Sequence, residues 1–177
     1  MGNRQIQRPY DIVHGIADDI RQITTISLDE DVPTTVPSDA IIDSNLFEDT
    51  RGYLKKLVYQ INSSYSNSCY DACALLIRKL IELLIEDIYE THGRVSEIVN
   101  PHSNQLFGLG QLITTLMSDS HWKLNRYVED GLDLIKTQGD KSAHNRRYNA
   151  RKSDVDKVKP FLRDISEELL YLAKIKP

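Results

Sequence analysis

His144 stands in the stretch Ile135-Lys-Thr-Gln-Gly-Asp-Lys-Ser-Ala-His-Asn-Arg-Arg-Tyr-Asn-Ala-Arg-Lys152, where an imidazole, a glycine and a cluster of cations fall together. An imidazole can orient or move a proton near neutral pH. Lys136, Lys141, Arg146, Arg147 and Arg151, with the Asn145 amide, supply donors for phosphate or carboxylate oxygens. Residues 141 to 159 hold seven Lys or Arg against two acids, whereas the rest of the chain carries 15 basic and 24 acidic residues. A local positive patch on an otherwise acidic chain points to an anionic partner, which the overall charge of −4 does not. The plain alternative is a solvated helix terminus.

The element that delivers this stretch is a helix in which Leu124, Val128, Leu132 and Ile135 recur on one face. A longer element covers about Cys69 to Thr91. Ala72, Leu75, Leu76, Ile77, Leu80, Ile81, Leu83, Leu84, Ile85 and Ile88 make it apolar on most sides, so the pattern predicts a helix at the centre of a bundle. Gly93 is placed as its left-handed C-terminal residue. Arg78 and Glu82 lie four apart on that apolar cylinder and must find partners, either each other or the His144 segment. The histidine has a structural reading too, as a group that locks the helix end to a carboxylate such as Glu82 or Asp140.

The remaining pattern is helical. Leu54, Leu57, Val58 and Ile61 trace one face up to the polar run Asn62 to Ser68, which reads as a turn. After a loop over residues 94–104, Leu106, Phe107, Leu109, Leu112, Ile113, Leu116 and Met117 predict a third helix despite Gly108 and Gly110. Ser118 to His121 reads as a further turn. Val155, Val158, Leu162, Ile165, Leu169 and Leu172 form a seam in the last helix. Pro160 within it would cost about 3 kcal/mol in a regular interior, which predicts a kink or a later start. No stretch alternates with period two, so the fold class is all-α, a bundle of about five helices. Ile12, Ile16, Ile20 and Ile23 predict a short N-terminal helical arm, joined by a proline-containing connector. The division is residues 1–48 for arm and connector and 49–177 for the bundle.

Cys69 and Cys73, four apart on a helix, read as small buried apolar residues. The five histidines form no His-x-x-x-His pair, so no metal or cofactor is expected. The start of the chain has no apolar leader and the most apolar stretch is broken by charges, which predicts no membrane segment and a cytoplasmic location.

An Ala-containing Arg-x-x-x-Glu helix, Ala72 to Glu82, followed by Gly139-Asp140-x-x-Ala143-His144, resembles the HEPN superfamily of small α-bundle domains. The closer likeness is to bacterial HEPN-like domains of unknown function, and it covers roughly residues 50–173. Many HEPN proteins are metal-independent ribonucleases with an Arg, four to six intervening residues and a His, completed across a homodimer. In such a site the Arg holds the phosphate while the His handles a proton as the 2′-hydroxyl attacks. Here the positions for that Arg hold Thr137, Gln138 and Gly139, and Lys136 lies one step further back. Lysine lacks the planar fork that grips two phosphate oxygens.

The resemblance therefore implies a module of open activity, not favoured as an enzyme, that binds RNA, a nucleotide or another anion through the basic segment after Gly139. The alternatives are a ribonuclease built on His144 and a protein-interaction domain with an acidic partner. Arg78, Glu82 and Asp140 are expected as its supporting polar network, and a homodimer as its assembly.

Overall fold

The computed structural model describes residues 39–175, so the predicted N-terminal arm and most of the connector lie outside the described residues. Six α-helices follow in order: α1 (Gly52–Ser66), α2 (Tyr70–Thr91), α3 (Leu109–Ser118), α4 (Arg126–His144), α5 (Lys152–Asp156) and α6 (Lys159–Leu172). Short 3-10 turns at Ser44–Phe47 and Val95–Ile98 complete the regular structure, and no strand occurs among the described residues. The fold is an all-α bundle.

α2 is the axis of the bundle and packs against every other helix. Its Ile77, Leu80, Ile81, Leu84, Ile85 and Ile88 are all but sealed from solvent. The helix ends as Gly93 predicts. Gly93 takes φ +67°, its N–H reaches the Glu90 carbonyl and the Arg94 N–H reaches that of Tyr89, closing a Schellman motif.

Two boundaries differ from the sequence reading. The run expected to turn at Asn62 stays helical to Ser66, because Asn62 is not a solvent-facing turn residue. It is fully buried, accepts from the Ile41 and Ile42 N–H groups at 3.0 Å and donates to the Ile42 carbonyl at 2.9 Å. The chain turns instead at Ser68, with φ 60°. The same bonds bring Ile41, Ile42 and Phe47 into the core, so residues 39–48, read as the end of a connector, pack with the bundle.

The third helix begins at Leu109 rather than Leu106. The Phe107 N–H bonds the Ile98 carbonyl and Asn100 pairs with Gln105, which keeps that segment in a loop and leaves Leu106 exposed. Cys69 is exposed, unlike its expected burial, while Cys73 is buried and its thiol is pushed up to about 12 by desolvation.

The proline prediction holds as a later start. α5 stops at Asp156, and α6 takes Pro160 into its first turn, where a missing N–H costs nothing. Gly131 then lets α4 and α6 approach closely, since a Cβ there would stand 2.7 Å from the Cβ of Phe161.

Candidate functional site

α4 runs antiparallel along α2 and also touches α3, and a glycine shapes each of the two contacts. Gly139 sits over the stem of Arg78, and Gly110 on α3 sits beneath the side chain of Lys136. With both stems seated, their charged ends meet. Arg78 donates to Asp140 through Nη1 and pairs through Nη2 with Glu82 at 3.2 Å, while Lys136 Nζ lies 3.4 Å from Asp140. Arg78, Glu82 and Asp140 therefore converge. Lys136 joins them instead of standing free for a ligand. Two cations and two carboxylates make this network formally neutral.

α4 passes straight through Gly139 and ends at His144, where Asn145 closes it with an N–H to the Lys141 carbonyl. The segment beyond is fixed by its own polar groups. Asn145 Oδ1 accepts from the Arg147 N–H at 3.1 Å, and the Tyr148 hydroxyl donates to Gln138 at 3.2 Å. Both carboxylate oxygens of Asp71, in the first turn of α2, accept from the Ala150 N–H at 3.1 Å. The Arg151 N–H then meets Asp154 at 3.2 Å to open α5.

This anchoring decides which cations face outward. Lys141, His144, Asn145, Arg146 and Arg147 line one open surface depression with Asp140. Lys141, His144, Arg146 and Arg147 are exposed and make no ion pair among the described residues. His144 does not lock to Glu82 or Asp140, because Arg78 and Lys136 already occupy the Asp140 carboxylate. Arg151 falls outside this group and lines a neighbouring depression together with Arg147 and Asp154.

Compared with family models, with curated proteins and with solved structures, the chain matches none.

The three positions where a HEPN-type nuclease would carry arginine have distinct settings. Gln138 and Gly139 are buried against the bundle, and only Thr137 is exposed. An arginine at 138 or 139 would have to lead out from beneath α4. Among the described residues no three His, Cys, Asp or Glu side chains are grouped to hold a metal, and no helix is long and apolar enough to cross a membrane.

Sequence reasoning missed a second polar cluster, in which the buried Asp119 carboxylate joins Arg94 at 2.7 Å and His121 Nδ1 at 2.8 Å. Its signal in the sequence was the Asp119-Ser-His121-Trp122 run, which places a carboxylate and an imidazole beside the chain's single tryptophan.

Proposed function

We propose that this chain is a HEPN-like helical module that binds the phosphate groups of a nucleic acid through Lys141, His144, Arg146 and Arg147. One observation carries the reading. These side chains line a common depression whose single carboxylate, Asp140, is already neutralised by Arg78 and Lys136, so their charge is uncompensated locally. Cations at the end of α4 also complement its C-terminal dipole, a contribution of about 0.3–1 kcal/mol at an exposed site. That effect accounts for Lys141 but not for Arg146 and Arg147, which lie past the helix.

The site is suited to backbone rather than base recognition. Tyr148 is the one Phe, Tyr or Trp in the basic segment, and it is half-buried with its hydroxyl tied to Gln138, which gives little for successive bases to stack on. Lys136 supports the site through Asp140, and Asn145 shapes it by holding the Arg147 N–H.

Binding of mixed RNA across a salt series tests the reading. The affinity should fall steeply with salt, and each of K141A, R146A and R147A should reduce the slope of log K against log salt by about one. Salt-independent binding, or none at low ionic strength, would instead favour a protein partner for the basic segment.

A ribonuclease reading rests on His144, which stands open beside the two arginines. Incubation with RNA in EDTA decides it: cleavage lost in a folded H144A variant makes the module an enzyme. The homodimer belongs to the same proposal and is checked by sedimentation equilibrium.

A further inference from the structure

Toward the other end of α2 lies a cavity of about 560 Å³, between the C-termini of α2 and α6 and the segment joining α3 to α4. Trp122, Tyr171, Leu172 and Ile175 supply its apolar wall, and His121 and Lys174 its polar groups. Its volume falls within the roughly 300–1,000 Å³ of small-ligand sites, and an apolar wall with a few placed polar groups is their usual character.

The wall is built, not incidental. His92, which caps α2, bonds the Leu172 carbonyl at 3.1 Å through Nε2; a carbonyl only accepts, so this nitrogen carries the proton. Trp122 is held edge-on by Tyr89 at 5.4 Å and lies under the Arg94 guanidinium at 5.1 Å. Tyr171 lines the same cavity from α6 and is 63% exposed, an aromatic side chain left in water at the rim.

The polar side is equally fixed. Burial alone would push the Asp119 carboxyl up. Hydrogen bonds from the His121 backbone N–H, from Arg94 and from the His121 ring outweigh it and hold Asp119 at about 2. The ionised Asp119 carboxylate accepts from His121 Nδ1–H, which leaves Nε2 as the ring nitrogen free for the cavity, and Nε2 donates to an anion there as the N–H of the imidazolium. Lys174 sits at φ +54°, a conformation that favours glycine, where the Schellman closure of α6 holds it through N–H bonds from Lys174 to Tyr171 and from Ile175 to Leu170. Glycine would suit that backbone better but would place no ammonium at the rim.

Among the described residues no Asp or Glu side chain lines the cavity. The helix C-termini that reach it are closed: the Ile88, Tyr89, Glu90, Leu169, Leu170 and Tyr171 carbonyls accept backbone N–H groups, and that of Leu172 accepts His92. Each of the two helix ends leaves at most about half a negative charge, so Lys174 offsets both and the His121 imidazolium adds a net positive charge for an anion.

We infer that this cavity binds a small aromatic anion, a carboxylate on one or two fused rings, with the ring between Trp122 and Tyr171 and the carboxylate on Lys174 and His121. The site is independent of the basic depression.

The test uses the full chain, with 1-naphthoate as probe and 1-naphthylmethanol as its neutral counterpart. Because Trp122 is the single tryptophan, its one indole N–H resonance reports directly on the wall, and calorimetry gives the affinity. A saturable shift with 1-naphthoate is expected, with binding about tenfold tighter than for the alcohol. K174G should weaken 1-naphthoate about tenfold while leaving the thermal midpoint unchanged or higher, and K174R should restore it. H121Q should weaken it, whereas K141A, R146A and R147A should not.

Equal affinity for acid and alcohol would overturn the assignment, as would an absence of saturable shift or a K174G variant that binds normally. Loss of binding in K141A, R146A or R147A would also overturn it, by placing the anion in the basic depression.

Discussion

Gly139 lies so close to Arg78 that a β-carbon built on it would stand 3.0 Å from Arg78 Cβ, 3.1 Å from Cδ and 3.3 Å from Cγ. The missing side chain is what allows α4 to cross α2 with the guanidinium directed at Asp140. The crowded atoms include the root of the arginine, which cannot swing aside without moving α2. G139A should therefore lose about 1 kcal/mol net, overpacking of about 1–3 kcal/mol exceeding the roughly 1 kcal/mol gained in helix propensity. Gly110 makes the contrast: its β-carbon would meet Lys136 Cε at 2.6 Å, the far end of a flexible side chain. G110A should be near neutral and should free Lys136 from Asp140. Urea midpoints of the two variants check the difference.

Asp140 is the carboxylate that keeps Arg78 and Lys136 neutralised. D140N should lower stability by about 1 kcal/mol, the scale of a half-exposed ion pair and its hydrogen bond. The same change uncovers positive charge beside Lys141 and Arg146. RNA affinity at low salt should rise about fivefold, as roughly 1 kcal/mol of added attraction implies. A fall in affinity would place Asp140 among the groups that contact the ligand.

Asn62 should prove essential to the start of the bundle. N62A would leave the Ile41 and Ile42 N–H groups and the Ile42 carbonyl without their partner in a buried setting. At about 1–3 kcal/mol for each such group, a loss of about 3 kcal/mol or more is expected. N62D should also fail, since a carboxylate cannot donate to the Ile42 carbonyl. Chemical denaturation of both variants measures this.

Acid should unfold the protein partly through Asp119. A carboxyl whose folded value of about 2 lies below its ordinary 3.8 stabilises the fold above pH about 4, and that contribution is lost as pH falls toward 2. Glu97, beside Arg94, is also held down, as are Asp156, bonded by Tyr65, and Asp154, bonded by the Arg151 N–H. D119N should therefore be less stable at neutral pH and show a shallower acid limb, not a missing one. Thermal midpoints taken from about pH 6 down to about pH 2 give the comparison.

The sequence by itself determined the helices and the faces they bury. Hydrophobic periodicity is local, and it recorded the buried side of α2, while backbone chemistry marked the Gly93 stop and, at Pro160, a kink or a later start. The sequence also marked Arg78 and Glu82 as charges on an apolar helix that require partners, either each other or the His144 segment. What it could not supply was the choice among partners. Lys136 reads as a free cation until Gly110 and Gly139 bring two side-chain stems within reach of Asp140, and His144 reads as a locking group until that carboxylate is taken. Asn62 shows the same limit: in a run of serines it signals a turn, yet its amide is satisfied by backbone groups 20 and 21 residues away. Ion pairs and buried amides are settled by contacts between segments distant in the chain, at distances of a few ångströms. Those distances exist only once the helices have packed.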